Sequence, residues 1–139
     1  MSLLHDSYTS KLLEYVRSNF SSPTLDINCD LHDWDKCEKE RAYINGNPRG
    51  AYPDLKAVNE FKVPKLYILG EAKTGIDYER GSLRAFNQMD VYINVLRKKK
   101  NPFLIYAVPI KIYKKVENDI KTRIDFFNAQ NITWKVIYK

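Results

Sequence analysis

The chain has 139 residues, 44% hydrophobic and 29% charged, which suits one domain that buries a core without staples and excludes a disordered chain. No apolar run approaches the ~20 residues that cross a bilayer, the N-terminus lacks a signal-peptide core, and two cysteines, Cys29 and Cys37, are too few for a disulfide framework. A cytoplasmic domain with no membrane partner is therefore expected. The net charge of +6 is uneven: residues 1–61 hold seven Lys/Arg against ten Asp/Glu, and residues 62–139 hold sixteen against seven. Such a basic half either holds a polyanion through its phosphates or is a solvated face.

In chain order, a helix is expected over Ser7–Phe20, capped by Asp6 or Ser7, with Tyr8, Leu12, Leu13, Val16 and Phe20 on its apolar face. Ser21-Ser22-Pro23 ends it. The acidic text that follows (Asp26, Asp30, Asp33, Asp35, Glu38, Glu40) supports a short strand near Leu25–Cys29 and another near Arg41–Ile44. Asn45-Gly46-Asn47-Pro48-Arg49-Gly50 is turn chemistry, with Gly and Asn supplying positive φ. A strand then runs over Ala51–Val58, and Asn59–Pro64 turns the chain back into a strand over Lys65–Lys73, its antiparallel neighbour.

A polar loop, Thr74–Arg80, leads through Gly81-Ser82 into a helix to Leu96, with Leu83, Phe86, Met89, Ile93 and Leu96 as its buried stripe. The run Arg97-Lys98-Lys99-Lys100 at its end answers the helix dipole or touches DNA. Phe103–Ile112 reads as a buried strand and Lys114–Ala129 as an amphipathic helix with Val116, Ile120, Ile124 and Phe127 inward. The last strand alternates Ile132, Trp134, Val136 and Tyr138 against Thr133, Lys135 and Lys139. Strand, helix, strand at the end implies a right-handed parallel crossover. The fold class is α/β, a mixed central sheet flanked by helices in three layers, in the order α-β-β-β-α-β-α-β across a single domain, residues 1–139.

The chemistry sits at one strand end. Period two places Leu69, Glu71 and Lys73 on one face of the Lys65–Lys73 strand, and Leu66, Ile68, Gly70 and Ala72 on the other. With Asp54 from the neighbouring strand, this gathers two carboxylates and an ammonium. Metal-assisted phosphodiester hydrolysis uses these groups, because carboxylate oxygens hold Mg²⁺ and the ammonium steadies charge developing on the phosphate. The plainer alternative is a pair of solvated carboxylates salt-bridged to Lys73.

Pro53-Asp54, then Glu71-Ala72-Lys73 closing a core strand, then a helix, resembles the PD-(D/E)XK nuclease superfamily, of restriction-endonuclease-like fold. Restriction endonucleases, archaeal Holliday-junction resolvases and RecB-type exonuclease domains belong to it. Gln88 and Tyr92 match the Gln-x-x-x-Tyr pattern of the RecB-type branch, with Arg84 one turn earlier on the same flank. The resemblance implies that Asp54, Glu71 and the carbonyl of Ala72 ligate Mg²⁺, with Mn²⁺ able to substitute. Lys73 would orient or deprotonate the attacking water and stabilise the phosphate, Gln88 would position Lys73 or the water, and Tyr92 and Arg84 would contact the substrate. It implies a metal-dependent nuclease acting on the DNA phosphate backbone in repair, recombination or defence, with a homodimer among the arrangements it allows. The alternative is a catalytically silent module of the same fold that binds nucleic acid or a partner protein.

Some members of that superfamily add a first-helix Glu to the metal site. Glu14 is the candidate by order, yet with Leu12, Val16 and Phe20 inward it points away from the core. Cys29, His32 and Cys37, with His5 completing four, offer zinc donors at a spacing that fits no standard zinc pattern. Two cysteines exclude a four-cysteine iron–sulfur cluster, and no phosphate-binding Gly-x-x-x-x-Gly-Lys loop is present.

Overall fold

The computed structural model describes residues 3–20, 24–59, 65–75, 78 and 82–139. The elements are α1 (Leu3–Asn19), β1 (Asp26–Cys29), β2 (Glu40–Ile44), β3 (Asn47–Ala51), β4 (Leu55–Asn59), β5 (Leu66–Ala72), α2 (Ser82–Leu96), β6 (Pro102–Val108), a 3-10 turn (Ile110–Ile112), α3 (Tyr113–Phe126) and β7 (Thr133–Tyr138). The architecture is α/β. Five strands form a sheet in the order β1-β4-β5-β6-β7, and β2-β3 is a separate hairpin. β4 pairs antiparallel with β1 and β5, whereas β6 pairs parallel with β5 and β7, so the sheet is mixed.

Both faces of β5 are buried, which is why its text is nearly continuous in apolar residues. Tyr67 and Leu69 join Met89, Ile93 and Leu96 of α2 and Val116, Ile120 and Ile124 of α3 in one core. Ile68 and Ala72 join Leu12 and Val16 of α1, with Ile105 and Ala107 of β6, in the other. A fully buried Leu or Ile contributes roughly 1.5–3 kcal/mol, so the sheet is clamped from both sides. Gly70 sets how close α1 comes: a Cβ there would lie 3.3 Å from both Leu12 methyls and from Leu55 Cβ.

Several elements depart from the expected boundaries, each for a local reason. α1 starts at Leu3 rather than Ser7, and the added turn carries His5. The expected six-residue turn shrinks to Asn45 (φ 53°) and Gly46 (φ 78°), a two-residue hairpin connection of the kind that positive φ permits. Asn47–Ala51 therefore pairs with β2 as β3. The expected Ala51–Val58 strand is broken over residues 52–54, where Pro53 has no N–H for a ladder. Of the Asn59–Pro64 turn, Asn59 closes β4 and the rest lies outside the described residues. In the expected Thr74–Arg80 loop, Gly75 and Tyr78 are helical and Tyr78 N–H donates to the Thr74 carbonyl at 3.1 Å; residues 76–77 and 79–81 lie outside the described residues.

The stripe of α2 is also wider than expected. Leu83 is 87% exposed, while Ala85, Val91 and Tyr92 are buried beside Met89, Ile93 and Leu96, because the hairpin packs on a second side of the helix. β6 stops at Val108, before Pro109. Val136 and Ile137 of β7 are buried in opposite cores and Tyr138 is exposed, so the expected alternation fails at that end of the strand. Among the described residues no helix is long and apolar enough to cross a membrane.

Candidate functional site

Asp54 is fixed by backbone bonds on three sides. Its N–H donates to the Gly70 carbonyl (3.0 Å), its carbonyl accepts from Asp30 N–H (2.7 Å), and its Oδ2 accepts from Ala72 N–H (2.8 Å). The carboxylate is thus held across the end of β5, where it and the Glu71 carboxyl influence each other's charge. Glu71 lies on the α2 face of the sheet, where the Tyr92 hydroxyl donates to Oε1 at 2.5 Å. Lys73 Nζ sits 3.4 Å from Glu71 Oε2 and donates to Gln88 Oε1 at 2.5 Å. The two carboxyls, the ammonium and the helix amide therefore meet at one place.

Asp54 and Glu71 are only 6% and 3% exposed, which sets aside the reading of solvated strand-end carboxylates. Burial raises the cost of charge on both. At Asp54, hydrogen bonds from His5, Glu71 and the Ala72 N–H outweigh that burial and hold the carboxyl below its usual range. Glu71 is held well above its usual range, first by burial and then by the Asp54 charge, with the Lys73 charge and the Tyr92 hydrogen bond opposing. The two carboxyls thus titrate as a coupled pair, with burial and the Asp54 charge favouring the neutral form of Glu71.

On its other side Asp54 faces α1. His5 Nε2 is 3.4 Å from Asp54 Oδ2, and that hydrogen bond, against burial, raises the imidazole pKa. Ligand atoms of His5, Asp30 and Asp54 all lie within 4.8 Å of one another, a group that could hold a metal ion. Asp30 is also paired with Lys36, Oδ1 to Nζ, at 2.8 Å. Two carboxylates with one imidazole suit Mn²⁺ or Zn²⁺ better than Mg²⁺, which takes oxygen donors.

The remaining expected site residues are distributed as follows. Ala72 meets the centre through its N–H. Arg84 is exposed on α2, one turn before Gln88. Tyr92 is fully buried, and its hydroxyl, besides holding Glu71, lies 3.0 Å from the Tyr52 carbonyl; it positions Glu71 and offers no surface to a substrate, contrary to expectation. Glu14 is exposed and away from the centre, and the α1 residue that reaches it is His5. His32 is almost wholly exposed beside Asp33, whereas Cys29 and Cys37 are buried free thiols, each pushed up to about 12 by burial, so the four-residue zinc set is not assembled. In the basic run, Arg97 donates to the Phe127 carbonyl (3.0 Å) and Lys99 stands 4.6 Å over the Tyr67 ring, while Lys98 and Lys100 are exposed.

Sequence reasoning missed His5 and Asp30 as partners of Asp54. A signal existed for His5: it precedes Tyr8, Thr9, Leu12 and Val16 at helical spacing and so opens the buried stripe of α1. Asp30, just past a four-residue strand, carried none. Comparison with family models, curated proteins and solved structures gives no match.

Proposed function

We propose that the chain is a metal-dependent nuclease of the PD-(D/E)XK type, hydrolysing DNA phosphodiester bonds at Asp54, Glu71 and Lys73. One observation carries the reading. Two carboxyls, Asp54 and Glu71, are buried side by side with the Lys73 ammonium against Glu71, and burying like charges together costs several kcal/mol per ion, a cost that a divalent cation bound there would offset. A module that only binds has no use for such a centre. The sheet order supports the restriction-endonuclease-like core, with the β2-β3 hairpin as an addition to it.

Asp54, Glu71 and the Ala72 carbonyl would offer the oxygen donors that Mg²⁺ or Mn²⁺ takes, whereas Asp54 with His5 and Asp30 would suit Mn²⁺ rather than Mg²⁺. When bound, such an ion polarises phosphate oxygens and acidifies water. The side chains do the rest. Gln88 and Glu71 anchor the Lys73 ammonium, the group that would steady charge developing on a phosphate. Tyr92 locks the Glu71 rotamer from within the core, and Arg84, exposed on the flank of α2, would take a backbone phosphate.

Cleavage of single-stranded, duplex and branched DNA across a Mg²⁺ and Mn²⁺ titration tests this. Lys73→Ala should slow cleavage by ~2.7–4 kcal/mol equivalent, the usual loss for one preorganised electrostatic group, with DNA affinity little changed. Asp54→Ala should abolish cleavage while the variant still folds and binds DNA. Equal activity in wild type and both variants would assign the cleavage to another source and sink the reading.

A further inference from the structure

The β2-β3 hairpin stands apart from the five-stranded sheet, and its two faces differ in kind. Glu40, Ile44 and Ala51 are buried on the inner face. The outer face carries Arg41 and Tyr43 of β2 opposite Gly50 and Pro48 of β3, with Lys39 and Tyr52 flanking the strand ends. Tyr43 is 75% exposed and Tyr52 62%. The Lys39 ammonium lies 5.8 Å from the Tyr52 ring centre. A cleft of about 250 Å³ follows this face, lined by Lys39, Arg41, Tyr43, Pro48, Arg49 and Gly50 among others, with no acidic side chain in it. The Lys39 side chain lies close over Gly50, where an added Cβ would come 2.3 Å from Lys39 Cε.

The hairpin is tied to the candidate centre at two points. Arg49 Nη1 donates to Asn87 Oδ1 at 3.4 Å, next to Gln88. The Tyr52 carbonyl lies 3.0 Å from the Tyr92 hydroxyl that holds Glu71, and Tyr52 leads directly into Pro53-Asp54. We propose that this outer face docks single-stranded DNA, with Tyr43 and Tyr52 stacking on unpaired bases and Lys39 and Arg41 holding the phosphates between. Exposed rings interleaved with cations match what a single strand offers, a π-face on every base and a charge on every link. A duplex covers its base faces and leaves the two rings without a partner. The inference rests on the nuclease reading for its direction, because it names unpaired DNA as the substrate class of that centre.

Fluorescence anisotropy with labelled oligothymidylate and a duplex of equal length, in EDTA so that nothing is cut, tests the proposal. Tyr43→Ala and Tyr52→Ala should each weaken oligothymidylate binding about tenfold or more, the range for losing one base-stacking ring, and leave duplex binding unchanged. Tyr43→Phe and Tyr52→Phe should keep wild-type affinity, since the ring is retained. Lys39→Ala with Arg41→Ala should lower the slope of affinity against salt by about two contacts' worth. All these side chains point outward, so thermal melts should coincide with wild type. Wild-type affinity in both alanine variants, as expected if the face instead binds a polypeptide, would overturn the proposal. So would equal wild-type affinity for single strand and duplex. Oligonucleotide bound through the tyrosines but never cut in Mg²⁺ would support the docking surface and count against the nuclease; cut DNA whose affinity ignores both rings would do the reverse.

Discussion

Tyr92 and Tyr106 make an instructive pair of buried hydroxyls near one carboxyl. Tyr106 is the cross-strand partner of Glu71 in the β5-β6 register, and both tyrosines are fully buried. Tyr92 is satisfied by Glu71, whereas the Tyr106 hydroxyl has no hydrogen-bond partner among the described residues. A buried polar group without a partner costs ~1–3 kcal/mol, and replacing it by an apolar group of the same shape removes that cost. Tyr106→Phe should therefore raise the unfolding free energy by about 1 kcal/mol, while Tyr92→Phe should lower it by about as much. Urea melts of the two variants decide it, and a destabilising Tyr106→Phe would mean that water or an ion holds that hydroxyl.

Among the elements, those whose text is governed by one period were legible and those shaped by two neighbours were not. The stripe Val116, Ile120, Ile124 placed α3, and the apolar run ending in Glu71-Ala72-Lys73 placed β5 to within a residue at either end. The hairpin was misread because Pro48 and Gly50 look like turn residues, yet an isolated two-stranded ribbon can hold both. With it went the second buried side of α2, which no single helical period reveals. One contact on that helix also joins it to α3: Asp90 accepts from Arg123 twice, Nε to Oδ1 at 2.8 Å and Nη2 to Oδ2 at 2.9 Å, with Asp90 buried. Asp90→Ala removes a bidentate charged pair and leaves the guanidinium half-buried, so it should cost roughly 1.5–3 kcal/mol. The expected shift of the urea midpoint should come without a change in slope, since the two cores remain.

For the whole molecule, the metal-ion reading makes stability depend on pH and on cation together. Glu71 is raised above its usual 4.5 and His5 above its usual 6.5. A group raised on folding stabilises fully below its unfolded pKa and loses that contribution as pH rises through the folded one. The protein without divalent ions should therefore lose stability from weakly acidic toward alkaline pH. Asp54 is lowered from 3.8, so its contribution is present above that value and lost only on strong acidification. A divalent cation competes with the very protons that Glu71 and His5 retain, and its binding should release them. Stabilisation by Mn²⁺ or Mg²⁺, about 2.7 kcal/mol at a hundred times the dissociation constant, should then grow as pH rises from 5.5 to 8.5, a range of about three units bracketing the usual His value. Thermal melts with and without the ion, together with calorimetric proton release in two buffers of different ionisation enthalpy, measure both effects. Asp54→Asn should abolish each, because it removes the carboxylate common to both candidate donor sets. A cation effect that is independent of pH, or that survives Asp54→Asn, would place the ion elsewhere on the protein.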